Sequence, residues 1–147
     1  MNDRYLFRGK RLDNGEWVQG SLIHNAFCDY ETKTPLLYIF NADNSDMDSF
    51  EELSEDLEYF RVDPATVGQC TGLKDVKDQS LFEGDIVMVR YSNHQGCMFW
   101  DTTEWCIKYP HGNLDSADYF CDAGNTLNVI KIGNIHDNPE MMEGNYV

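Results

Sequence analysis

The sequence predicts a β-rich α+β fold on three grounds. Short runs dense in aromatic and β-branched residues recur at 5–8, 16–23, 36–40, 86–91, 96–100, 105–109 and 127–135, the pattern of strands that pack on a core. Glycines and the pairs Asn14-Gly15 and Asp63-Pro64 punctuate these runs and supply turns. One stretch has helical spacing instead. Ser49-Phe50-Glu51-Glu52 spells a capping box, and Phe50, Leu53 and Leu57 recur on one face, so a short acidic helix is expected near 48–59.

Taken in order, the first two runs flank Asp13-Asn14-Gly15 and read as a hairpin, because Asn-Gly accepts the positive φ of a tight turn. Residues 36–40 follow Pro35 and suit a buried strand. A short strand is expected within 62–73, bounded by Asp63-Pro64 and Gly72, and a polar turn within 75–79. Gly84-Asp85 then forms a corner before 86–91, where glycine lets the chain bend and Asp85 can satisfy turn amides. Residues 96–100 and 105–109, joined through Asp101-Thr102-Thr103-Glu104, read as a second hairpin, and 127–135 as the last strand. The 147 residues suit one domain, with 1–62 and 63–139 as its subdomains and 140–147 as a flexible tail.

Composition narrows the function classes. The chain is 41% apolar and 13% aromatic, a sufficient stock for a packed core. It carries 11 basic against 26 acidic residues, a net charge of −15, so direct nucleic-acid binding, which needs a basic face, is not expected. Solubility, a basic partner or mimicry of nucleic acid fit better. No apolar run approaches the ~20 residues that span a bilayer, and Met1-Asn2-Asp3-Arg4-Tyr5 opens no secretory segment. A cytoplasmic protein without membrane contact is expected. The five cysteines, an odd number without paired spacing, read as free thiols.

Candidate chemistry is sparse, and each constellation has a plainer reading. His94, Cys97, Cys106 and His111, with Cys121 in reserve, offer thiolate and imidazole ligands of the kind zinc takes. Cys97 and Cys106, however, lie inside apolar runs where a free cysteine acts as a small hydrophobe. Cys106 with His111, or Cys28 with His24, could pair a thiol with a base, yet no catalytic signature surrounds them. Asp43, Asp46, Asp48, Glu51 and Glu52 imitate a calcium loop, but Asp48 stands where that loop needs glycine, so a solvated acidic face is expected. The glycines form no phosphate-binding loop. No catalytic residue, metal or cofactor is assigned. For binding, the candidates are Trp17, Arg8, Arg90 and Trp105. They belong to a wider stock of Lys10, Arg11, Trp100, Tyr109, Tyr119 and Phe120, in which rings and cations could line a small-ligand pocket.

Three separated blocks carry a resemblance: Tyr5-Leu6-Phe7-Arg8-Gly9-Lys10 with Trp17-Val18-Gln19-Gly20; Val62-Asp63-Pro64-Ala65-Thr66-Val67-Gly68-Gln69-Cys70-Thr71-Gly72-Leu73 with Phe82-Glu83-Gly84-Asp85-Ile86-Val87; and Ile132-Gly133-Asn134-Ile135-His136-Asp137-Asn138-Pro139-Glu140. In order and spacing they resemble the YopX family of bacteriophage and prophage proteins. The departures are Cys70 in place of an aromatic residue and Asp78-Gln79 in place of Asn-Gly. The resemblance implies an amino-terminal α+β portion followed by a small SH3-like β-barrel, a bacterial host cell, and no catalytic residues to carry over. The leading expectation is a non-catalytic accessory module that forms a homo-oligomer and binds a host or phage protein. The alternatives are an acidic decoy, a binder of a nucleotide-like ligand countering a host defence, and an unrecognised enzyme.

Overall fold

A computed structural model describes residues 3–28, 35–41 and 58–143. The chain divides into two units, Tyr5–Gln69 and Cys70–Val147 with Met1–Arg4, and the strands belong to two sheets.

In the first unit, β1 (Phe7–Lys10) and β2 (Trp17–Cys28) form the expected hairpin, with Lys10 opposite Trp17 and Phe7 opposite Gly20. Gly15 takes φ +74°, and the Asn14 side chain accepts the Glu16 N–H at 2.9 Å, so the Asn-Gly pair does the turning. β3 (Pro35–Asn41) pairs with β2, and β4 (Glu58–Val62) pairs with β3. The start of β5 (Gly68–Lys74) adds to the other side of β1. Leu37, Ile39 and Val62 are buried, with Val18, Leu22 and Val67 packed on them. Gly20 is required by close approach, because a Cβ there would collide with the Phe40 carbonyl oxygen. Between β4 and β5, a 3-10 turn at Pro64–Thr66 is capped by Asp63, whose carboxylate accepts the Ala65 N–H at 3.1 Å. The Thr66 hydroxyl accepts the Lys10 N–H at 2.9 Å and so holds this turn to β1.

The expected α+β class is corrected to β: among the described residues the only helical turns are short 3-10 turns. Of the acidic helix expected at 48–59, positions 48–57 lie outside the described residues, and Glu58 and Tyr59 are strand. They pair with Asn41 and Phe40, and the Phe40 and Tyr59 rings meet at 4.3 Å. Helical spacing is a weak local preference, and a ladder that pairs the backbone and buries Val62 outweighs it.

In the second unit, β6 (Ser80–Phe82) and β12 (Thr126–Leu127) flank the later half of β5, and β11 (Cys121–Ala123) pairs with β12. A five-stranded antiparallel sheet contains, in spatial order, β10 (Leu114–Ser116), β9 (Glu104–Lys108), β8 (Gln95–Asp101), β7 (Asp85–Val89) and β13 (Val129–Asn134). Leu81, Val87, Met98, Ile107, Leu127 and Val129 form its core, each worth about 1.5–3 kcal/mol as a buried side chain. A 3-10 turn at Pro139–Met142 packs beside β8.

The expected SH3-like barrel is also corrected, because this sheet stays open. Its β13 edge is taken by a turn instead of a strand: the Val76 N–H donates to the Val129 carbonyl at 3.1 Å, and Asp75 accepts the Lys131 N–H at 3.0 Å. These contacts cover the first part of the β13 edge, and β10 and β13 remain the two ends of the sheet.

Asp75 and Asp85 are each 1% exposed. Asp75 also accepts the N–H groups of Lys77 and Gln79 at 3.0 and 2.9 Å. Asp85 accepts the Phe82 N–H at 2.7 Å and faces the Lys131 ammonium at 3.2 Å, while that ammonium donates to the Ser80 carbonyl at 2.7 Å. Removing one partner of such a pair strands the other. Asp85→Ala is therefore expected to lower stability by about 3 kcal/mol, and Asp85→Ala with Lys131→Met to cost less than the sum of the single changes. Urea midpoints measure this, and additive losses would refute the coupling.

Candidate functional site

β7 ends at Val89, two residues earlier than the run 86–91 predicts, because the chain turns. The Val89 N–H donates to the His94 carbonyl at 2.8 Å and the Asn93 N–H to the Val89 carbonyl at 3.0 Å. Within this turn Tyr91 and Asn93 take φ +74° and +57°. Asparagine tolerates that region, whereas a bulky aromatic residue there is uncommon. The consequence is a ring thrown clear of the sheet: Tyr91 is 86% exposed.

A second wall comes from the 3-10 turn Ala117–Phe120, which leads into β11. Its Phe120 packs on the core and its carbonyl accepts the Asn128 N–H at 2.7 Å, while the neighbouring Tyr119 is 85% exposed. Between the walls lies a cleft of about 450 Å³ lined by Arg90, Tyr91, Ser92, Tyr119, Cys121 and Asp122 over a floor of Val89, Phe120 and Asn128.

Arg90 is the charge centre of this cleft. Its guanidinium donates to the Asn128 side-chain oxygen at 3.4 Å and stands 5.5 Å from the Tyr91 ring, a cation–π distance. Its backbone N–H donates to the Asn128 carbonyl at 3.2 Å. Among the described residues no carboxylate lies within ion-pair distance of it. The arrangement can hold a flat group against a ring and an anion against the guanidinium. The described lining residues include an exposed thiol, Cys121, and no histidine.

A family model described as YopX protein matches residues 6–143. The chain belongs to the YopX family. No curated protein matches it.

The residues singled out in the sequence are scattered over the YopX chain. His94 and His111 both flank Tyr109, at ring distances of 6.1 and 5.6 Å, the second pair stacked. Cys97 and Cys106 sit in β8 and β9, 7% and 2% exposed, with Cys97 opposite Lys108 and Cys106 opposite Phe99. The described residues contain no group of three or more metal-ligating side chains. Burial pushes the Cys106 thiol up, and the charges of Glu104, Asp101 and Asp115 push it further, which disfavours the thiolate that a nucleophile or a metal needs. His24 and Cys28 lie in β2, with side chains outside the described residues, and the acidic positions 43–52 are outside them altogether.

Arg8 and Lys10 flank the Trp17 ring at 4.8 and 5.4 Å, and Arg11 is held by Asp13 at 2.9 Å. Trp105 packs on the core and meets the Trp100 ring at 5.1 Å. Of the binding candidates, only Arg90 lines the cleft. Tyr119 and Phe120, from the aromatic stock, join it there. Tyr91 was missed because it ends an apolar run and reads as strand. The only available signal was the following Ser92-Asn93, a turn-forming pair.

Two outcomes check this geometry. Tyr109 donates to Asp115 at 2.9 Å, and burial, then that hydrogen bond and its charge, push the hydroxyl well above the usual tyrosine range. The folded state keeps a proton that the unfolded chain releases near pH 10. Stability from this source is therefore whole below about pH 10 and falls as pH rises beyond it. Tyr109→Phe should flatten that alkaline loss in urea midpoints, and an unchanged slope would refute it. In native alkylation read by peptide mass, Cys121 should react well before Cys70, Cys97 and Cys106. Equal labelling would contradict the burial of the latter three.

Proposed function

We propose that this chain is a non-catalytic binding module, a phage or prophage accessory protein that works as a homo-oligomer in the bacterial cytoplasm and takes its ligand in the cleft between Tyr91 and Tyr119. The carrying observation is that two tyrosines, 86% and 85% exposed, line one cleft with an arginine that has no carboxylate partner among the described residues. Two exposed rings on one cleft offer apolar area that a ligand would cover. A guanidinium in a chain of net charge −15 has a wide choice of acidic neighbours, and this one faces the cleft instead. Family membership supports the phage or prophage origin through the resemblance set out above. Self-association is supported by Tyr59 of β4, 57% exposed, because an exposed aromatic ring gains by packing against a second chain.

The test is native mass spectrometry of the chain recovered from lysogenic cells, run beside Tyr91→Ala/Tyr119→Ala. A bound mass carried by the wild type and lost from the variant, at equal urea midpoints, is the expected result. A basic protein retained equally by both would refute the cleft and turn the assignment to the acidic surface, and a monomer would refute self-association.

A further inference from the structure

We infer that the cleft receives a nucleotide, its flat base lying on the tyrosine rings and its phosphate on Arg90. This rests on the reading of the cleft as the binding site and adds the chemical class of its ligand.

The cation selects the anion. Arg90 is placed by its backbone N–H on the Asn128 carbonyl, by its guanidinium on the Asn128 side chain at 3.4 Å, and by the Tyr91 ring at 5.5 Å. These contacts use few of the five donors of the fork, and a fork with donors to spare matches the paired oxygens of a phosphate. The rings select the remainder of the ligand. Tyr91 is carried by a turn closed through two backbone hydrogen bonds, and Tyr119 by a 3-10 turn whose last carbonyl accepts the Asn128 N–H at 2.7 Å, so both rings project from hydrogen-bonded turns. Every nucleobase has a face for such a ring, and one stacking contact changes affinity roughly ten- to hundredfold. The left-handed conformation of Tyr91, φ +74°, is one that asparagine or glycine would adopt with less strain, and strain held at a ligand-facing residue points to use of the side chain. Asp122 on the rim supplies an acceptor for an amino or ring N–H of the base.

Size and charge limit the ligand to a single small unit. About 450 Å³ falls within the range of small-molecule sites. A net charge of −15 repels a long polyanion cumulatively, whereas one phosphate meets mainly the local field of Arg90.

Calorimetric titration of the full chain with AMP, GMP, CMP and UMP tests this, with the matching nucleosides and inorganic phosphate as controls. The expected result is binding of at least one monophosphate, with its nucleoside and free phosphate each at least tenfold weaker. Arg90→Gln and Tyr119→Ala should each weaken it at least tenfold at unchanged urea midpoints, while Tyr91→Phe preserves binding and Tyr91→Gly loses it. Free phosphate binding as well as the monophosphates would reduce the site to an anion hole and overturn the inference. So would nucleosides binding equally well, or no monophosphate binding at millimolar concentration. If the monophosphates fail while Tyr91→Ala/Tyr119→Ala still releases a mass carried from cells, the ligand class is wrong and the binding cleft stands. If the mass also persists in that variant, both fall.

Discussion

Two almost fully buried carboxylates, Asp75 and Asp85, converge on one residue, Lys131, and the second unit depends on that convergence. Asp85 takes the ammonium and the Phe82 N–H, while Asp75 takes the Lys131 backbone N–H. Neither carboxylate could stay buried without these donors, because an ion removed from water must recover its hydration from fixed dipoles and charges. In meeting that requirement the three residues fix the entry of β7, the outer edge of β13 and the turn between β5 and β6. The Asp75 contact also lies on the outer edge of β13, at one end of the open sheet.

The cleft follows from how β7 leaves that sheet. A strand that continued to Tyr91 would have placed alternate side chains on the two faces of the sheet. The turn at 90–93 breaks the alternation and leaves Arg90 held by Asn128 and Tyr91 projecting into water. Asn128, between β12 and β13, ties both walls: its carbonyl and side chain hold Arg90, and its N–H holds the carbonyl of Phe120. One asparagine therefore joins the neighbours in sequence of the two tyrosines, Arg90 and Phe120.

Much of the local structure was legible because the responsible forces are local. Asn14-Gly15 announces its hairpin through the φ its residues tolerate, and the Gly84-Asp85 corner is as anticipated, with Asp85 accepting a turn amide. Asp78, where the family resemblance leads one to expect Asn-Gly, still supplies a positive φ of 63° to the turn. The helix expected through 58–59 failed for the opposite reason. Its spacing was genuine, but β3 offers Tyr59 and Phe60 a partner that lies distant in sequence, and pairing across that distance leaves no mark on local periodicity. The site was half legible: Arg90 was named for its charge and Tyr119 for its ring, but nothing in a linear reading brings positions 90, 119 and 128 together.

By itself the sequence determined the positions of most strands and turns, the acidic balance, and membership of the YopX family, because propensity, charge and motif order are properties of neighbours along the chain. Only the tertiary structure decided that the helical segments among the described residues are all 3-10 turns, that the five-stranded sheet stays open, that Cys97 and Cys106 are buried while His94 and His111 flank Tyr109, and that Arg90 and two exposed tyrosines line one cleft. Those outcomes rest on hydrogen bonds and ion pairs between residues as many as 56 positions apart, whose energies exist only once the chain has brought their ends together.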